Sequence, residues 1–362
     1  MSVQAKYLLI GSIEAFSGKS ATILGLAKSF LDQGLSLCYG KPIRFHPDQG
    51  GDLGRDADVQ FISQTLGLSV SQVLPTVLTI TADVVTQKLL GQDQDHHALG
   101  LSAYQEYQGQ DLVLLEGPSS LNAGSLFDLS LAQISARLDA GVLLVARFGG
   151  LAIVDVLLTA KQQLGDRLLG LVFNDVDSKH QHLMQKTLQP YLEAQGIPVL
   201  GVLPRHALLR SVSVGELVYQ LQAEVLVGQD FLNLMVEQLT IGAMNVNSAL
   251  KYFRKGKHMA VVTGGDRTDL QLAALESSTH CLILTGHFPP NDLVLSRAED
   301  LEIPVLLVDL DTLTTVEIVE QAFQQAQLHE SVKVECVQDM VAQHCDIDRL
   351  LSLLGFTSAV TL

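Results

Sequence analysis

Tryptophan is absent from the 362 residues and aromatic side chains make up only 5%, so stacking platforms for single-stranded nucleic acid are not expected. The four cysteines (Cys38, Cys281, Cys336, Cys345) lie far apart with no CxxC pair. That spacing excludes both a disulfide scaffold and a zinc module. No apolar run approaches the roughly 18 residues that a membrane span needs. The start, Met1 to Lys6, lacks the charged-then-apolar pattern of a signal peptide. A reducing cytoplasm is the expected home. Charge is sparse too, at 17% against 47% hydrophobic residues, a balance that excludes a largely disordered chain.

What charge there is has a sign and a distribution. The net of −16 argues against a nucleic-acid binder, which needs clustered Lys and Arg. Residues 1–210 carry 15 basic against 19 acidic side chains, whereas residues 211–362 carry 8 against 20. An anionic small ligand is therefore expected in the first part.

Continuous apolar runs alternate with stretches of helical period. The first series of strands is expected at Tyr7–Ile10, Leu35–Cys38, Asp111–Leu115, Val142–Val145, Leu168–Phe173 and Val199–Val202. Helices are expected at Ser20–Gln33, Leu151–Leu164 and Gln181–Gln195. Unbroken apolar strands mark a parallel sheet covered on both faces, and the βαβα order makes it doubly wound. A second, smaller α/β series follows: helices at Phe231–Leu239, Leu270–Leu275, Asp292–Asp300 and Val316–Gln327, with strands at Met259–Thr263, Cys281–Thr285 and Pro304–Val308. The expected division is residues 1–210, 211–330 and an acidic helical tail at 331–362.

The chemistry concentrates where the first strand meets the first helix. Gly18-Lys19-Ser20 follows an apolar strand and opens a helix, the setting of a phosphate loop. There backbone amides cradle phosphate, the ammonium reaches the outer phosphates and the hydroxyl meets Mg²⁺. The strict motif is broken, because Ile13 stands where its first Gly would fall. Glu116 ends the apolar strand Asp111–Leu115, a place where such folds hold a second Mg²⁺ group. Lys41 and Arg44 follow the second strand and face the ligand crevice of an open sheet, or else sit solvated in a Pro-led turn. Asp56 is either a metal ligand or part of a charged first helical turn, and the same holds for Asp58. Asn174 either reads an adenine edge or serves a turn. His96–His97 and His180 with His182 have no metal-spaced companions, which favours solvated helix faces.

These residues carry a resemblance. Residues 1–205 are similar to the dethiobiotin-synthetase-like branch of P-loop proteins, which includes amide-forming cobyrinic acid synthases. The matching pieces are Glu14-x-x-Ser17-Gly-Lys-Ser20, Lys41-Pro42, Asp56, Glu116-Gly117, Asn174 and Leu200-Gly-Val-Leu-Pro204. Residues 213–327 resemble a DRTGG domain through Val261-Val-Thr-Gly-Gly-Asp-Arg-Thr-Asp269, Leu282–Gly286 and Asp309–Thr315. The pair in this order is similar to the N-terminal portion of long phosphotransacetylases. The stretch after Leu328 is too short for their catalytic domain, so no acetyl transfer is expected.

The resemblance implies ATP or ADP with Mg²⁺. Ser17, Gly18, Lys19, Ser20, Ala21 and Asn174 would bind nucleotide; Ser20, Asp56 and Glu116 would hold the metal; Lys19 and Lys41 would act on the transferred phosphoryl group. Glu116-Gly-Pro-Ser-Ser120 departs from the Gly-rich run of dethiobiotin synthetase, and Pro118 removes a backbone donor. Three functions follow in order of preference: a nucleotide-binding regulatory protein, an ATP-dependent carboxylate–amine or carbamate ligase, and a structural subunit with a degenerate loop. In the DRTGG-like part, Asp266 or Thr268 is expected to cap a helix after a Gly264–Gly265 turn. Phe231–Leu239, apolar on most sides as a helix, leads to an expected homodimer or higher homo-oligomer through 211–330, with a protein partner as a further option.

Overall fold

The computed structural model describes residues 5–45, 56–92, 97–105, 109–324, 328 and 330–356, with the side chains of 97–99 and 324 left aside. His96 lies outside them. The chain forms two compact units, Met1–Arg205 with Val334–Leu362, and His206–Lys333.

The first unit is built on a seven-stranded sheet. Its strands are β1 (Lys6–Ser12), β2 (Leu37–Gly40), β4 (Val73–Leu74), β6 (Leu112–Glu116), β7 (Gly141–Arg147), β8 (Leu168–Val176) and β9 (Val199–Pro204). They run in the order β4-β2-β6-β1-β7-β8-β9, and every neighbouring pair is parallel. β3 (Ile43–Phe45) and β5 (Leu78–Ile80) form a separate parallel pair. All five residues of β6 are buried, as are the last six of β1, which is why both read as unbroken apolar runs. The expected doubly wound sheet is present.

Two helices match their expected spans closely, at Lys19–Asp32 and Ile153–Leu164. The third, Gln181–Ala194, contains a π segment at Met184–Leu188 just ahead of Pro190. Proline has no N–H and its ring crowds the carbonyl four residues back, so the widened turn accommodates it.

The segment expected as an acidic helical tail is helical, and from Val334 on it is part of the first unit. Helices Ser331–His344 and Ile347–Leu353 bring Cys345 beside Gly201 of the edge strand β9. Asp346 N donates to Leu200 O at 2.7 Å. The Arg349 guanidinium forks onto Glu193 at 2.9 and 2.8 Å. This covers an edge that would otherwise be open to other chains.

The second unit has a five-stranded sheet in the order β11-β16-β15-β14-β13, with β11 (Glu224–Val227), β13 (Gln238–Ile241), β14 (Met259–Gly264), β15 (Thr279–Thr285) and β16 (Val305–Leu307). β13 to β16 pair in parallel, and β11 is antiparallel to β16. β10 (Val212–Ser213) pairs antiparallel with β12 (Met235–Val236). The helix expected at Phe231–Leu239 does not form. A single turn at Gln229–Phe231 leads into β12 and β13. Val236, Thr240 and Ile241 are β-branched and prefer the pleated surface. Val236 is fully buried and Leu234 packs on the same core, so these two side chains are covered within the unit, whereas Ile241 stays 38% exposed.

Neither Asp266 nor Thr268 caps the helix Thr268–Leu275; Arg267 occupies that position without a side-chain bond. The glycine turn is required, however. A Cβ on Gly265 would lie 1.8 Å from Phe288 O. No described helix is long and apolar enough to cross a membrane.

Candidate functional site: a phosphate loop at the end of the central strand

β1 lies in the middle of its sheet and ends at Ser12, so the loop 13–18 emerges between the C-terminal ends of β6 and β7. Gly18 at the helix entry adopts φ +93°, a left-handed conformation open to glycine. A Cβ there would also strike Asn174 Nδ2 at 2.1 Å. Phe16 is left-handed too and 77% exposed, strain of about 1–3 kcal/mol that the surrounding loop has to hold.

The helix Lys19–Asp32 makes its first internal amide bond from Thr22 N to Gly18 O. The amides of Lys19, Ser20 and Ala21 therefore have no partner inside the helix. They lie at its positive end, the ordinary seat of a phosphate. Ser17 is fully buried and its hydroxyl has no hydrogen-bond partner among the described residues, which is costly unless a ligand supplies one. Ala21 contributes backbone only.

Lys19 is buried, and its ammonium donates to Ser12 Oγ at 3.0 Å; Ser12 in turn donates to Ser119 O at 3.0 Å. Burial lowers the Lys19 pKa, while the Glu116 carboxylate works in the other direction. Ser20 Oγ donates to Glu116 Oε1 at 3.3 Å. The other oxygen of Glu116 accepts from Tyr39 OH at 2.9 Å. Burial pushes the Tyr39 phenol well above its usual range, and the Glu116 charge adds to that. Nothing in the sequence pointed to Tyr39. Its hydroxyl meets Glu116 because β2 and β6 are neighbours in register, with Tyr39 opposite Leu114.

Lys41 is held by carboxylates. Its ammonium lies 2.9 Å from Asp56 Oδ2 and 3.0 Å from Asp58 Oδ2. Burial works to lower its pKa, but the charges of Glu116, Asp58 and Asp56 outweigh it and the net shift is upward. Asp56 is engaged on both oxygens. Oδ1 caps the helix Ala57–Thr65 by accepting from Asp58 N and Val59 N, and Oδ2 faces Lys41, with Arg44 Nε at 3.9 Å. Of the two sequence-level options for Asp56, the structure thus displays the helix-entry one. Asn174 Nδ2 donates to Ser17 O at 2.9 Å, clamping the phosphate loop across a sequence separation of 157 residues.

Ser17, Gly18, Lys19, Ser20, Ala21, Glu116 and Asn174 therefore share one corner, and Lys41 with Asp56 lies beside it, coupled through Glu116. Among the described residues no group of three His, Cys, Asp or Glu side chains could by itself hold a metal. Ser20 and Glu116 offer hard oxygen donors of the kind Mg²⁺ accepts when phosphates and water complete its shell.

The family model described as AAA domain matches residues 6–213, and that of the DRTGG domain matches residues 216–322. A phosphate acetyltransferase of Synechocystis sp. is 25% identical over 370 residues, covering 96% of this chain and 51% of its own length. That of Nitrosomonas europaea is 25% identical over 360 residues, covering 93% and 50%. The two domains in this order match the N-terminal part of these proteins. The chain spans about half the length of the curated relatives it matches. An uncharacterized Bacillus subtilis protein, YtoI, is 29% identical over 114 residues, covering 32% of this chain and 25% of its own length. Among solved structures, the CBS and DRTGG domains of the regulatory region of Clostridium perfringens pyrophosphatase, complexed with the activator diadenosine tetraphosphate, align at TM-score 0.28 and 20% identity, covering 36% of this chain and 60% of that one.

Proposed function

The chain belongs to the AAA-domain family, matched over residues 6–213, and from that premise we propose that it is a cytoplasmic, Mg²⁺-dependent ATP- or ADP-binding regulatory protein. Its first unit binds the nucleotide, and its DRTGG unit passes that state to a protein partner or a second copy. One observation carries the proposal: the buried Lys19 ammonium, with Ser12 Oγ 3.0 Å away, stands beside three helix-end amides that have no internal partner. A fixed cation and free donors at a positive helix end are what a polyphosphate requires.

Ser20 and Glu116 would hold Mg²⁺, which offsets phosphate charge when bound. Asn174 fixes the loop through Ser17 O, with its amide close enough to the loop to meet the nucleotide as well. Regulation is favoured over ligation by Lys41. Ligase chemistry asks this ammonium to stabilise a transferred phosphoryl group, whereas here it is neutralised by Asp56 and Asp58. The proposal takes from the curated relatives their two-domain order and not their activity.

Titration calorimetry with MgATP and MgADP on the parent protein and on Lys19→Ala tests it. Binding in the parent, and none in the variant, is the expected result. Equal affinity in both, or no binding in the parent, removes the assignment.

A further inference from the structure

In the second unit acidic residues outnumber basic ones, 16 to 8 over residues 206–333. Half of those basic residues fall in one seven-residue stretch: Lys251, Arg254, Lys255 and Lys257. All four are exposed. Elsewhere in the unit Arg267, Arg297 and Lys333 each have a carboxylate partner, yet these four form no ion pair among the described residues. A helix C-terminus attracts cations, which accounts for Lys251 in the last turn of Val246–Phe253. It does not account for Lys255 and Lys257, which lie beyond the helix on the way into β14.

The stretch borders an open sheet edge. β13 is the outermost strand of its sheet, and it carries no charge: Gln238-Leu-Thr-Ile241. Gly242 N donates to Val262 O at 2.7 Å. By the alternation of a parallel ladder, Thr240 then also faces β14, and the backbone groups of Leu239 and Ile241 point outward. Along this edge runs a groove of about 410 Å³ lined by Thr240, Ile241, Met244, Tyr252 and Lys255 among others. Tyr252 is 60% exposed beside it.

We propose that β13 is a docking edge for an extended acidic peptide segment of a partner protein, which adds as a further strand while its carboxylates meet Lys251, Arg254, Lys255 and Lys257. The outward amides and carbonyls of Leu239 and Ile241 supply main-chain bonds, and the cation cluster supplies selectivity and rate. A second copy of this chain is a poor occupant. Its β13 would bring the neutral strand Gln238-Leu-Thr-Ile241, with no carboxylate on it to meet the four cations. Charged residues often guard an edge from aggregation, but they then stand on the strand itself, and here the strand is neutral.

The test uses the full chain and a fluorescein-labelled peptide of alternating glutamate and valine, about ten residues long, enough for one strand. Fluorescence anisotropy should show binding that weakens as salt is added. The Lys255→Glu/Lys257→Glu double variant should bind at least about tenfold more weakly. Ile241→Pro should abolish binding, because it deletes an outward N–H and costs the protein's own ladder nothing. A peptide with proline at every valine should not bind. If Ile241→Pro fails to fold by circular dichroism, the charge-reversal pair and the proline peptide decide.

The proposal is overturned if the peptide does not bind at millimolar concentration, or binds the charge-reversed variant equally well. Equal binding of the proline peptide also overturns it, since the strand would then play no part. So does tighter binding of polyuridylate at the same cluster, or a dimer in sedimentation that Ile241→Pro splits.

Discussion

Lys19 holds a positive charge in a nearly dry place, with Ser12 Oγ as its bonding partner. Burial disfavours its charged form and lowers its pKa. A bound polyphosphate adds negative charge within reach and moves that pKa back up. Between the lowered free value and the raised bound value, nucleotide binding takes up a proton at Lys19. Calorimetry in two buffers of different ionisation enthalpy measures this directly. Proton release, or no exchange anywhere in that window, would show that the phosphates do not approach Lys19.

At the scale of elements, β2 and β6 are pinned at their starts by one clip. Ser36 N and Ser36 Oγ both donate to Asp111 Oδ2, at 2.8 and 2.6 Å. Five residues on, β6 delivers Glu116 to the phosphate loop, and the register set by the clip brings Tyr39 to it. The Ser36 hydrogen bonds, side chain first and backbone second, hold the Asp111 carboxyl below its usual pKa. A carboxylate with a depressed folded pKa stabilises the fold fully above its unfolded pKa, and that contribution is lost as pH falls through the folded value. Ser36→Ala should cost about 1 kcal/mol at neutral pH, and should flatten the decline of stability in acid below the ordinary aspartate range. Urea denaturation at stepped pH checks both, and an unchanged acid profile would mean that Ser36 does not set the Asp111 titration.

For the whole molecule, the division into units makes a prediction about cooperativity. A ligand that binds only the native first unit stabilises it by about 2.7 kcal/mol at a hundred times its dissociation constant. Hydrogen exchange with saturating MgADP should slow in β1, β6 and β8, and equally in the helix Ile347–Leu353, which is remote in sequence but part of the same unit. β14 and β15 should exchange as before. Equal slowing in both units would mean that they unfold as one body.

Local physics made much of this protein legible from residues alone. Buried parallel strands must be apolar on both faces, so β1, β6, β7, β8 and β9 stand out as unbroken runs. A strand, a glycine and Lys-Ser opening a helix mark the phosphate loop, because the amides and ammonium that phosphate needs are contiguous there. Glu116 is visible as the carboxylate that ends a buried strand. Other features came from partners far away along the chain. Tyr39 meets Glu116 across 77 residues and Asn174 clamps Ser17 across 157; no spacing rule reports such pairs. Asp56 and Asp58 neutralise Lys41 only because the start of the helix Ala57–Thr65 lies beside the end of β2. The segment Phe231–Ile241 has apolar residues enough for a helix or for strands, and the neighbour β14 decides for β13. The final helices join the first unit because the open edge at β9, with Glu193 beside it, gives Arg349 and the backbone of Asp346 their bonds. Local periodicity determines which elements form; which of them close over an edge or meet at a site depends on contacts that exist only once the chain is folded.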